Sequence, residues 1–157
     1  MAVQPDTKRA LRWIVGVFRK RNVSFQITGG LAASLYGSPR PWNDIDILIR
    51  PTSLRRILPD VNRHLAFGPA QYRDQRFDAF MATLKIYGTE IDLVMECRIR
   101  NRRTGGWYQT PGLTPPSTWK HLWGIRLPLE PKRELMRIKQ ILGRKKDFED
   151  VAAMRMG

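Results

Sequence analysis

Thr28-Gly29-Gly30, followed further along by Asp44-Ile45-Asp46-Ile47, constrains this chain more than any other stretch. Strand side chains alternate between two faces. As a strand, 44–50 therefore puts Ile45, Ile47 and Ile49 on one face and Asp44, Asp46 and Leu48 on the other. The glycine pair follows the apolar run Val23–Thr28 and precedes Leu31-Ala32-Ala33-Ser34-Leu35-Tyr36, so it reads as a strand-to-helix turn. Such a turn brings bare backbone N–H groups against a phosphate. The fold expected is α/β (α+β), with a small mixed β-sheet flanked by helices and a helical C-terminus.

Asp44 and Asp46 on one strand face repel each other unless a cation or protons compensate. A divalent metal, Mg²⁺ or Mn²⁺, compensates them and also neutralises phosphate oxygens during transfer. A lone Asp-x-Asp is commonly a solvated strand face, but the flanking isoleucines imply a buried strand. Glu90-Ile91-Asp92-Leu93-Val94 is a second acidic strand. Asp92 sits deeper among apolar residues and would complete a three-carboxylate site, whereas Glu90 reads as a hairpin-edge residue. Gly29 and Gly30 would receive a triphosphate, with Thr28 as a hydroxyl donor. Arg40 is either a phosphate ligand or a solvated loop residue. Lys139 either faces the site or is a solvated helix lysine. Asp147 and Asp150 read as first-turn helix acids favoured by the dipole, ahead of the alternative that they orient basic side chains. The arginines at 98, 100, 102 and 103 are either a solvated loop or a groove for a polyanionic acceptor, with Trp107 and Tyr108 available for stacking.

The rest of the chain supplies context. At 157 residues it fits a single domain, 1–157, with its helical C-terminal region at 131–157. Pro5-Asp6-Thr7 opens a helix carrying Leu11, Ile14, Val15 and Phe18. Thr52 caps a second helix carrying Leu54, Ile57, Leu58, Val61 and Leu65, which Pro59 should kink or split. Phe77–Tyr87 and Glu90–Met95 flank a hairpin turn at Gly88-Thr89. Residues 111–118 form a loop, Leu122–Leu129 a final strand, and Gly143 divides two C-terminal helices. Cys97 is the only cysteine and reads as a small strand-end residue, which fits a reducing, cytoplasmic setting. No signal peptide or membrane span is expected. Lys and Arg number 28 against 14 Asp and Glu, a net charge of +14 that attracts polyanions.

With these residues in hand, the chain resembles the DNA polymerase β-like nucleotidyltransferase superfamily. The resemblance lies in the Gly-Gly turn, the acidic-hydrophobic-acidic strand and the later Ile91-Asp92-Leu93. It is similar in particular to the small minimal nucleotidyltransferases and to abortive-infection nucleotidyltransferase toxins. Their pattern matches Gly29-Gly30-Leu31-Ala32, Arg40 before the acidic strand, Lys139, and Arg144 to Asp150. The resemblance spans 24–50, 89–95 and 135–154. It implies Mg²⁺ on Asp44, Asp46 and Asp92, the triphosphate on Gly29 and Gly30, and Lys139 holding the nucleotide. Gly30, where a serine is common, and Trp42, where a small Ser or Thr is common, depart from the pattern.

The expected activity is transfer of a nucleoside monophosphate from an NTP to an acceptor hydroxyl, with release of pyrophosphate. Asp92 would assist deprotonation of the acceptor. The alternative is a non-catalytic basic module of the same fold, antitoxin-like, that binds nucleic acid or a partner. A tRNA or other RNA, an acidic partner protein and a small molecule are all open as acceptor. Membership of a toxin–antitoxin pair and the oligomeric state are equally open.

Overall fold

The computed structural model describes residues 5–115 and 118–157. Within the expected 111–118 loop, residues 116 and 117 lie outside the described residues. Helix α1 (Thr7–Lys20) begins where the Asp6 carboxylate accepts a hydrogen bond from the Arg9 N–H at 3.0 Å, and it ends with Arg19 and Lys20 against its negative terminus. Strand β1 (Phe25–Thr28) runs directly into α2 (Gly29–Leu35). The loop that follows leads to β2 (Ile45–Ile49), with Asp44 immediately before it.

A 3₁₀ turn, Pro51–Ser53, precedes α3 (Leu54–Val61). Thr52 lies inside that turn and caps nothing. The helix passes through Pro59 and gives way to a second 3₁₀ turn, Asn62–His64. Leu65 is therefore not helical. It opens β3 (Leu65–Arg73), which pairs antiparallel with β4 (Phe77–Ile86). The expected hairpin at Gly88 joins β4 to β5 (Thr89–Arg100). Strand β5 continues well past Met95, so Cys97, Arg98 and Arg100 lie on it rather than at its end or in a loop. Short β6 (Trp107–Gln109) pairs back onto β5.

The span expected as one strand, Leu122–Leu129, is instead the second half of a hairpin, β7 (Thr118–Leu122) and β8 (Ile125–Leu129), turning at Trp123-Gly124. Both turn residues have positive φ, 52° and 76°, the two left-handed positions that a tight primed turn needs. The chain ends in α4 (Lys132–Leu142) and α5 (Lys145–Met156), separated by Gly143 at φ 61°.

The eight strands form one open mixed sheet in the order β3-β4-β5-β2-β1-β8-β7, with β6 beside β5. β1 is antiparallel to β2 and parallel to β8, while β2 is parallel to β5. Ile27, Ile45, Ile47, Ile91 and Leu93 are fully buried in one cluster with Leu11, Ile14 and Phe18 of α1, Leu31 of α2 and Ile57 of α3. Each such side chain contributes about 1.5–3 kcal/mol through its removal from water. These isoleucines fix the register of β2, because a slip by one residue would bury the aspartates and expose the core.

Candidate active site

The sheet register brings the sequence-predicted acids together. Thr28 of β1 stands opposite Asp46 of β2, and Asp46 stands beside Asp92 of β5, so the three form one cross-strand row. Thr83 of β4 completes the row, and its hydroxyl donates to Asp92 Oδ1 at 2.7 Å. Gly29, at φ 64°, turns the chain out of β1 against this row. A Cβ on Gly29 would overlap the Asp46 carboxylate, 2.9 Å from its Cγ. Glycine is thus required twice over, by backbone conformation and by the carboxylate that fills the space. Gly30 is constrained by a different neighbour: its Cβ would sit 3.2 Å from the Trp42 Cβ. The two residues that depart from the family pattern are therefore packed against each other.

The acids are under electrostatic strain. Asp46 is half-buried as a residue, but its carboxyl is enclosed. Burial, then the charge and hydrogen bond of Asp92, then Asp44, push its pKa from 3.8 to about 7, with Lys139 pulling the other way. Asp44 is exposed as a residue. Partial shielding of its carboxyl and the Asp92 charge raise its pKa too. Among the described residues, no three His, Cys, Asp or Glu side chains are assembled as a metal-holding cluster. The row is therefore a pair, Asp46 and Asp92, with Asp44 acting on it from the strand entrance. Asp46, its pKa raised first by burial and then by the Asp92 charge, belongs to a donor set that a divalent cation fits, since the cation would supply the missing positive charge.

Behind the row is a buried acid that sequence reasoning missed. Glu130, at the junction of β8 and α4, is 1% exposed and accepts the Thr28 hydroxyl at 2.7 Å. Its backbone carbonyl accepts the Tyr36 hydroxyl at 2.7 Å, and its N–H donates to the Ile27 carbonyl. Burial raises its pKa from 4.5 to about 7, against the Thr28 bond and Lys139, which lower it. A single acid between Leu129 and Pro131 carried no pattern that could have singled it out.

Lys139 and Arg40 are neither solvated nor free. Lys139 is 6% exposed. Its Nζ donates to Asp150 Oδ2 at 2.9 Å and lies 3.8 Å from Asp147 Oδ1. Arg40 forks onto the same Asp150 carboxylate at 3.0 and 3.3 Å, and Ser38 donates to it at 2.6 Å. Burial alone would raise the Asp150 pKa, but the bonds from Arg40, Ser38 and Lys139 bring it down to about 2. Asp147 takes two bonds from the Arg144 side chain, at 2.6 and 3.1 Å. Asp147 is a first-turn acid of α5, as expected, and Asp150 lies beyond that turn; both are fully buried anchors for cations. They fix Lys139 within electrostatic reach of Asp46 and hold Arg40 on the same Asp150 anchor.

The other candidates separate from this centre. Cys97 is shielded on β5, and burial raises its thiol pKa to about 11, which leaves it unreactive. Arg98 is paired with Asp78 and lies over the Trp107 ring, 5.3 Å from its centroid. The Tyr108 hydroxyl donates to Glu134 at 2.8 Å. A cavity of about 380 Å³ lies between the ends of β2 and β5, lined by Arg50, Met95, Glu96 and Thr110–Leu113, and none of the three aspartates reaches it.

Comparison with known proteins bears on the fold. No family model matches the chain, and no curated protein matches it. A candidate nucleotidyltransferase from Thermotoga maritima is similar in structure, with a TM-score of 0.73 at 21% identity over 96% of this chain and 92% of that one. A lincosamide antibiotic adenylyltransferase, solved with lincomycin bound, has a TM-score of 0.57 at 13% identity over 97% and 98%. The chain, an open mixed sheet flanked by helices, thus has a nucleotidyltransferase-like fold.

Proposed function

We propose that the protein transfers a nucleoside monophosphate from an NTP to an acceptor hydroxyl and releases pyrophosphate. The observation that carries this reading is the seating of Gly29 against the Asp46 carboxylate, in the same row as Asp92. It joins a phosphate-accepting turn directly to a pair of carboxylates that lack positive charge. The resemblance in the sequence and the fold of the two nucleotidyltransferase-like structures support it.

The residues divide the work. Backbone N–H groups at Gly29 and Gly30 face the triphosphate, and Thr28 borders it. Arg40 and Lys139, held by Asp150, supply fixed positive charge for the phosphate oxygens. Asp46 and Asp92, with Asp44, would hold Mg²⁺ or Mn²⁺. Bound there, the metal supplies charge neutralisation at the transferred phosphoryl group. The acceptor oxygen forms a bond to the α-phosphorus, and the bond from that phosphorus to the α,β-bridging oxygen breaks. Pyrophosphate leaves with the electron pair, and the acceptor's proton passes to the Asp92 carboxylate. Holding the reactants in line is the larger part of catalysis for phosphoryl groups.

The test incubates the protein with Mg²⁺ and each NTP, with and without cellular RNA or protein, and measures pyrophosphate. Release that is lost in Asp92→Asn, with the melting temperature retained, is expected. Absence of metal-dependent NTP binding in the native protein would overturn the reading.

A further inference from the structure

We propose that the acceptor is a single-stranded polynucleotide, held along a belt of unpaired cations that runs from the β5–β6 turn to the corner between α4 and α5. The proposal rests on the transferase reading above and adds the substrate class to it.

The belt begins in a long stretch without acids. From Cys97 to Leu129 there is no Asp or Glu, while Arg98, Arg100, Arg102, Arg103, Lys120 and Arg126 fall within it. Folding joins this stretch to a second basic run. The Arg102 N–H donates to the Ile141 carbonyl at 3.1 Å, and its guanidinium donates to the Gly143 carbonyl at 3.3 Å. The β5–β6 turn is thereby seated on the α4–α5 corner, beside Arg144, Lys145 and Lys146. The belt also reaches the site. Arg144 shares Asp147 with Lys139, at 2.6 and 3.8 Å, and Lys139 shares Asp150 with Arg40, at 2.9 and 3.0 Å, so one chain of ion pairs links the α4–α5 corner to the site.

What distinguishes the belt from a structural charge network is its lack of counter-ions. Arg98, Arg40, Lys139 and Arg144 each have a carboxylate partner. Among the described residues, Arg100, Arg103, Lys145 and Lys146 have none. All four are exposed, and the one free acid nearby is Glu149. Phe148 stands beside the lysines and is 56% exposed, a large apolar side chain open to solvent. Cations with a lone exposed aromatic match a polynucleotide, whose phosphates follow the charges and whose base stacks on the ring. An acidic protein would need an apolar centre to its interface, and among the described residues Phe148 is the one large exposed hydrophobic between Arg98 and Phe148 outside β7–β8. Trp107 is not free to stack on a base, since Arg73 and Arg98 both lie over its ring.

The experiment measures binding of short labelled RNA and DNA oligonucleotides by anisotropy across a salt series, with Mg²⁺–ATP binding measured separately by calorimetry. The variant is Arg103→Gln/Lys145→Gln/Lys146→Gln, whose fold is checked by its melting curve. Loss of three contacts should reduce the slope of log affinity against log salt by about 2, and weaken binding at low salt roughly tenfold or more. ATP affinity should be unchanged. Phe148→Ala should weaken the oligonucleotide and leave inorganic polyphosphate, which has no bases, unaffected. Tighter binding of RNA than DNA, or equal binding, both support the proposal and say which sugar is read. Oligonucleotide affinity unchanged in the triple variant, or displacement of the oligonucleotide by polyglutamate at lower charge concentration, would overturn it. Oligonucleotide binding without any ATP binding would instead remove the transferase reading and leave the belt as a binding surface.

Discussion

Replacing Asp46 by Asn should stabilise the metal-free protein while abolishing its metal response. Burial and the Asp92 charge push the Asp46 pKa from 3.8 to about 7. A raised acid pKa means that the folded state keeps a proton that the unfolded chain has already released. The contribution of Asp46 to stability is therefore most favourable below pH 4 and falls as the pH rises to 7, where the shift is fully expressed. At 1.36 kcal/mol per unit, this amounts to about 4 kcal/mol, and solvent reaching the half-buried residue brings it to the order of 2–4 kcal/mol. Asparagine has the same shape and no charge to desolvate. In EDTA at pH 8, Asp46→Asn should melt roughly 5–10 °C above the native protein, given the usual 2–4 °C per kcal/mol for a chain of this size. Differential scanning calorimetry between pH 4 and 8 should show a flatter profile, with a remaining slope from Glu130. Millimolar Mg²⁺ should raise the melting temperature of the native protein and not that of the variant, because a ligand stabilises only the state that binds it. A variant that melts lower than the native protein at pH 8, or that keeps the Mg²⁺ response, would refute the claim that Asp46 is a strained carboxylate awaiting a cation.

Other perturbations test the surrounding structure. Asp150→Ala leaves the buried Lys139 with only its longer contact to Asp147 and should cost about 3–5 kcal/mol in denaturant unfolding, far more than a surface ion pair. Gly30→Ser should lower stability by about 1–3 kcal/mol by pressing on the Trp42 Cβ. Trp42→Gly in the same chain should restore part of that loss, and strict additivity in the double-mutant cycle would show that the two residues do not meet. Glu130→Gln keeps an acceptor for Thr28 but removes the titration. It should flatten the pH dependence of stability between about 4.5 and 7 and raise the melting temperature at pH 8.

Much of the fold was legible because some segments have only one way to satisfy their own chemistry. Ile45-Asp46-Ile47 alternates with a period that only a strand accommodates, and the structure has β2 there. The apolar spacing in α1, the turn at Gly88 and the break at Gly143 were equally local. Strand β3 was not legible, because it is an edge strand with most of its residues exposed and carries Gly68-Pro69, so it shows no alternation. The β7–β8 turn was missed because it places Trp123 where Asn or Gly is usual. Asp147 and Asp150 were misread for a related reason. Their position early in α5, Asp147 in its first turn and Asp150 just beyond it, is a sufficient local explanation, and nothing near them in sequence reveals that Arg40 arrives from the far side of the chain.

By itself, the sequence determined which residues could form a phosphate turn and an acidic strand, since both follow from backbone conformation and side-chain alternation within a few residues. Only the tertiary structure decided how they act together. Cross-strand register put Asp46 between Thr28 and Asp92 and against Gly29, where burial and then the Asp92 charge raise its pKa. The packing of α4 and α5 turned Asp150 into the anchor for Arg40 and Lys139, and the closing of β8 buried Glu130 under Thr28. The physical reason is the range of the forces. Secondary structure is set by neighbours along the chain. Burial and charge–charge interaction depend on distance through space, which the order of residues does not state.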